Sequence, residues 1–202
     1  MNLLLNSGSA LLNGGILEFY DKITPTDNAY IDTGYIPTVN SKFVSHIKRP
    51  TLNNCCIYSN STQSKTDGIR FLLNRQRFYA SFGSSRIENS GLTELELTIT
   101  HEHTQYVTIN DNSDTYITSV GDKFINEPLT IFSDYYQRSV SGAMAYFNDN
   151  SLYSFKIYEN DVLVRDFKPC TYNGVAGLWD MVESKFYDNS NSVGTLTVSN
   201  DV

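Results

Sequence analysis

The chain has 202 residues, 40% of them hydrophobic and 13% aromatic, with 14 Tyr and 11 Phe. This composition can fill a packed interior and favours pleated, half-buried surfaces over helices. A formal net charge of −7 repels phosphate backbones and anionic lipid. Lys48-Arg49 and Arg75-Gln76-Arg77 are isolated clusters rather than a basic stripe, so nucleic acid is excluded as the expected partner.

Met1-Asn2-Leu3-Leu4-Leu5-Asn6 has no basic n-region, and its apolar run is shorter than the core of a signal peptide. The expectation is therefore synthesis in a cytoplasm, with exit only by lysis or assembly. No stretch reaches the roughly 18 apolar residues of a membrane helix, and no membrane association is expected. Residues 1–28 carry Ser7-Gly8-Ser9 and Asn13-Gly14-Gly15, which oppose a helix and predict a hairpin turning at Asn13-Gly14. The segment reads either as an arm that docks on a partner or as the first strand pair of the domain that follows.

From Ala29 the pattern is strand, turn, strand. Residues 29–36 end at Pro37 and residues 42–47 at Pro50, since proline cannot donate to a ladder. Further strands are predicted over 55–59, 69–73, 77–82 and 92–100. Strands over 104–109 and 115–119 flank Asp111-Asn112-Ser113-Asp114, a turn of residues that tolerate left-handed backbone. Tyr153, Phe155 and Ile157 alternate with Ser154, Lys156 and Tyr158 before Glu159-Asn160-Asp161 turns the chain into 162–167, where Pro169 is read as the end of the strand. The only helix candidates, 126–129 and 179–183, are too short to support themselves. Three Cys is an odd number and Cys55-Cys56 are neighbours, so buried free thiols are expected rather than a disulfide framework.

Read together, these elements give an all-β, two-sheet antiparallel sandwich over 29–202 behind a short N-terminal segment, 1–28. The run from Ser151 to Asp161, Val164-Arg165-Asp166-Phe167-Lys168-Pro169-Cys170, Gly174-Val175-Ala176-Gly177-Leu178-Trp179-Asp180 and Lys185-Phe186-Tyr187 resembles the ending of concanavalin A-like (laminin G-like) jelly-roll domains of phage and gut-bacterial surface proteins. Tyr30-Ile31-Asp32-Thr33-Gly34-Tyr35-Ile36-Pro37 is similar to the opening strand of the same group. The resemblance covers about 170 residues and implies a concanavalin A-like jelly roll, a fold that hosts many unrelated binding roles.

Candidate sites are few. Glucanases sharing this fold carry carboxylates two residues apart on one strand face, and Glu94-Leu95-Glu96-Leu97-Thr98-Ile99 resembles that motif. Glu96 stands where the pattern wants Asp, however, and Thr98 and Ile99 fill the positions beyond it, so a solvated strand face is expected and catalysis is not. His101 and His103 share a strand face without a third ligand in view. Asp111 and Asp114 are the candidate metal residues, for Ca²⁺, because a hard cation takes several oxygens from a bent loop. That loop lacks the regular spacing of a dedicated calcium site, and no cofactor is expected. Asp32 and Asp180 are weaker still. No nucleophile elbow or phosphate-cradling glycine loop is present.

Tyr135-Tyr136 and Arg138 are the candidate glycan-binding residues, since a ring packs on a pyranose face and planar polar groups meet its hydroxyls. The resulting expectation is a non-enzymatic phage virion protein, a capsid decoration or tail appendage, that presents a lectin-like jelly roll and adheres to cell-surface glycans. Its N-terminal arm would hold other virion or surface proteins, and a homo-oligomer is compatible with this. The alternative is a bacterial cell-surface or secreted carbohydrate-binding module, or a relative of glycoside hydrolases acting on polysaccharide.

Overall fold

A computed structural model of the chain describes residues 10–12, 14–27, 29–60, 68–82, 85–102, 106–110, 112–116, 124–133, 150–190 and 194–201. Its strands in chain order are β1 (Ala10–Leu12), β2 (Gly15–Phe19), β3 (Lys22–Pro25), β4 (Ile31–Asp32), β5 (Ser41–Lys48), β6 (Cys55–Ser59), β7 (Ile69–Asn74), β8 (Arg77–Phe82) and β9 (Ser85–Ser90). They continue with β10 (Glu96–Glu102), β11 (Tyr106–Ile109), β12 (Asn112–Tyr116), β13 (Thr130–Ile131), β14 (Ser151–Glu159), β15 (Val162–Tyr172), β16 (Val175–Asp180), β17 (Lys185–Tyr187) and β18 (Leu196–Ser199). The larger sheet runs β1-β2-β15-β14-β5-β10-β11-β12, with β16, β17, β3 and β18 attached beside it; the smaller runs β4-β13-β6-β7-β8-β9. Every pairing is antiparallel. The molecule is the all-β two-sheet jelly-roll sandwich that the alternating pattern predicts.

Period-two alternation sets which face of the larger sheet looks inward. In β5, Phe43, Ser45 and Ile47 are buried while Lys42, Val44, His46 and Lys48 face out. Phe43, Ile99, Phe155, Ile157 and Phe167 meet Ile57, Tyr58, Phe71, Phe78 and Phe82 of the smaller sheet in one core. Burial of each of these side chains stabilises the fold by about 1.5–3 kcal/mol. Tyr58 lies 5.3 Å from Phe43 and 5.2 Å from Phe155, ring centre to ring centre. Its hydroxyl meets His101 Nδ1 at 2.9 Å, a buried polar bridge between the sheets. In the smaller sheet the alternate residues Cys56, Arg70, Leu72 and Ser81 are buried as well, so β6 and β7 are buried along nearly their whole length rather than alternating. Cys55, Cys56 and Cys170 are buried free thiols.

A hairpin does turn between Leu12 and Gly15, which stand opposite each other, with Gly14 at φ 82°. Beyond it β2 pairs with the C-terminal half of β15, and β3 pairs with β14 and β18. Residues 15–25 are thus strands of the larger sheet, and the chain's early and late segments are zipped together through Ile23↔Val198.

Several sequence expectations need correction, among them the strand predicted over 29–36, which is only Ile31–Asp32, and that over 92–100, which begins at Glu96. The last hairpin strand does not stop before Pro169 but continues to Tyr172. On one edge of β15, β14 pairs only as far as Phe167 and β2 takes over at Cys170, so the missing N–H of Pro169 falls where the partner changes. Its carbonyl accepts from the Tyr20 N–H at 3.0 Å, and on the other edge β16 pairs across from it through Leu178. The strand after Ile109 begins at Asn112 rather than residue 115, with Ile109 opposite Asn112 and Asn110 left-handed at φ 51°. Finally, 126–129 holds no helix, and Trp179 and Asp180 belong to β16.

Candidate functional site

The β14–β15 hairpin closes through Asn160 (φ 48°) and Asp161 (φ 62°), both left-handed, with Glu159 opposite Val162. Asn and Asp tolerate this geometry, and the tight turn matches the twist of the strands. The Asn160 N–H donates to the Asn40 carbonyl at 3.2 Å, fastening the hairpin tip to the turn that opens β5. Behind this joint the Glu159 carboxylate accepts from Tyr35 Oη (2.6 Å), Thr38 Oγ1 (2.5 Å) and Ser41 Oγ (3.0 Å). Burial, followed by the Glu159 hydrogen bond, holds the Tyr35 phenol above its ordinary pKa. The Arg165 guanidinium stands 5.9 Å from the Tyr35 ring centre.

In front of the joint is a cleft of about 220 Å³ between the Val39-Asn40 turn, Lys42, Glu102 and Asn160-Asp161. Lys42 forms an ion pair with Asp161 and lies 4.0 Å from Glu102, with its ammonium 5.2 Å from the Tyr158 ring centre. The Asp161 hydrogen bond raises the Lys42 pKa, so the ammonium stays charged. Antiparallel register creates this cluster: Lys42 pairs with Glu102 on one side and Tyr158 on the other, and Tyr106 lies across from Glu102. Two carboxylates, two amides and an ammonium beside a Tyr ring can donate to and accept from hydroxyls around a flat apolar face.

Of the residues singled out in the sequence, Tyr135, Tyr136, Arg138, Asp111 and His103 lie outside the described residues, and Asp114 is described only as backbone within β12. Glu94 and Glu96 do not share a strand, because the carbonyls of Glu94 and Leu95 are both taken by Arg49 and β10 begins only at Glu96. Glu94 Oε2 accepts from the Thr93 N–H at 3.1 Å. Glu96 faces out, 3.0 Å from His46 Nε2 and 3.7 Å from Lys48 Nζ. His101 points into the core. Asp32 accepts from the Gly34 N–H at 2.9 Å and forms a local turn. Asp180 is fully buried and accepts from the N–H groups of Asp166 (3.0 Å) and Val182 (2.9 Å), with Arg165 Nε at 3.4 Å. Among the described residues no group of three or more His, Cys, Asp or Glu is placed to hold a metal ion.

Sequence reasoning found the Glu159-Asn160-Asp161 turn but missed Lys42, Glu102 and Tyr158. They meet only through strand pairing, which a single sequence does not display.

No protein-family model matches the chain, and no curated protein is significantly similar to it. Among solved structures it is similar to the mouse laminin alpha1 chain, domains LG4-5, at 12% identity and a TM-score of 0.46, over 86% of this chain and 50% of that one. The chain therefore spans half the length of that structure.

Proposed function

We propose that this chain is a non-enzymatic, lectin-like jelly roll whose glycan site is the Lys42–Asp161 cleft. The observation that carries the reading is the prebuilt backing of the cleft. Three hydroxyls converge on Glu159 and a backbone bond joins the two turns, so binding orders few side chains and loses little conformational entropy. A glycan array probed with the unmodified chain, Asp161→Ala and Tyr158→Ala tests it. Binding by the first and loss in both variants is the expected result; a blank array for the unmodified chain overturns the reading. Incubation with the same glycans tests the non-enzymatic part, since cleavage that disappears in Glu96→Gln would refute it.

The setting we propose, from the sequence resemblance alone, is the surface of a virion, with the N-terminal segment as the attachment element. Residues 15–25 are paired into the larger sheet, so the informative truncation removes residues 1–9 only. Loss of particle incorporation with an unchanged melting temperature is expected. Unchanged incorporation rules the arm out.

A further inference from the structure

We propose that the outward face of β5 is a track for a linear, neutral oligosaccharide, with the Lys42 cleft at one end and a second aromatic station at the other. This rests on the lectin-like reading and extends it to a ligand class. The second station is Tyr153, whose ring stacks on His46 with centres 4.8 Å apart and an interplanar angle of 28°. A register shift in the β14–β5 ladder between Leu152 and Ser154 lets Tyr153 stand over His46 while Leu152 remains in the core; such bulges re-aim a side chain. The Tyr153 hydroxyl donates to Asp201 Oδ1 at 3.2 Å, and Lys22 Nζ lies 6.0 Å from the ring centre.

Lys42 and His46 are four residues apart on one strand, about 14 Å at roughly 3.4 Å per residue. Between them the outward row is low on β5 and β10, where Val44 pairs with Thr100 and Thr100 with Thr108, while on β14 the long side chain of Lys156 pairs with Val44 and bounds the row. Ser154 and Thr98 flank His46. Long side chains at both ends and short ones between them on β5 and β10, edged by Lys156 on β14, leave a strip that an extended chain of sugar rings can follow, one ring against Tyr158 and another against Tyr153.

The charge pattern selects against ionic ligands. Lys42 is matched by Asp161 and Glu102, Lys48 and His46 by Glu96, and Lys22 by Asp201. Lys156 stands opposite Asp166 across the ladder but forms no ion pair with it, so its charge is not compensated in this way. The compensated charges offer donors and acceptors to hydroxyls without favouring a carboxylate or sulfate on the ligand.

Calorimetric titration with linear gluco-, manno- and xylo-oligosaccharides, from mono- to hexasaccharide, tests the track. For at least one series, affinity should rise about tenfold or more between mono- and tetrasaccharide. Tyr153→Ala should abolish that rise and leave monosaccharide binding unchanged, while Tyr153→Phe keeps it. His46→Ala provides a second route to the same station if Tyr153→Ala melts early. Affinity independent of length, or full affinity in both Tyr153→Ala and His46→Ala, overturns the track and leaves the cleft standing. Preference for uronate or sulfated oligomers overturns neutrality, and absence of any sugar binding overturns the cleft and the track together.

Discussion

Arg49 offers the sharpest stability test, because a 1%-exposed guanidinium is a costly thing to bury. Its backbone N–H donates to the Leu95 carbonyl at 2.7 Å, and its side chain donates from Nη1 to the Arg75 carbonyl (2.7 Å) and from Nη2 to the Glu94 carbonyl (2.6 Å). One residue thus clips the β7–β8 turn of the smaller sheet to the start of β10 in the larger. Burial lowers its pKa, but arginine has so high a starting value that it stays charged, and two carbonyls rather than a carboxylate meet the charge. Arg49→Ala deletes two charge-assisted hydrogen bonds worth about 1.5–3 kcal/mol each. Against this, the cost of desolvating the guanidinium disappears. A net loss of about 3 kcal/mol follows, which lowers the melting temperature by about 6–12 °C for a chain of this size. Arg49→Met keeps the packing of the stem and should fall between Ala and the unmodified chain. Urea unfolding monitored by tyrosine and tryptophan fluorescence measures all three. Arg49→Met as stable as the unmodified chain would refute the clip, since the two carbonyls would then need no donor.

Glu159→Gln provides one acceptor oxygen for three hydroxyl donors. It should cost about 1–2 kcal/mol in urea unfolding and weaken glycan binding without changing any group that faces the cleft. Tyr58→Phe removes the hydroxyl that meets His101 Nδ1 in the core and should destabilise by about 1–3 kcal/mol, read by thermal melting. A Cβ on Gly177 would lie 2.6 Å from the Phe186 ring and would also press on the Tyr187 carbonyl. Gly177→Ala should therefore cost about 1–3 kcal/mol as the β16–β17 hairpin shifts. Burial pushes the Cys170 thiol up to about 12 from an ordinary value near 9. The unfolded chain releases this proton first as pH rises, so the contribution is complete below about pH 9 and fades as pH approaches about 12. Urea midpoints should fall over that window, and less steeply in Cys170→Ala.

Much of the architecture was legible because β-favouring residues between turn signals mark strands: 55–59 and 77–82 are strands with the bounds their composition suggests. The failures share a cause. Pro169 reads as a terminator until one sees that β15 changes partners there. Glu94 reads as a strand residue until Arg49 is found holding its carbonyl. The β3–β18 pairing joins stretches too far apart for local pattern to connect. The same limit hid the cleft, since Lys42, Glu102 and Tyr158 sit on three strands that only register aligns.

The pairing of Lys22–Pro25 with Leu196–Ser199 also sets a schedule for biosynthesis. A ribosome-bound chain whose last strand is still in the exit tunnel has β3 made but no β18 to receive it. The larger sheet can finish only once β18 has emerged, and until then a strand edge stays open to other nascent chains.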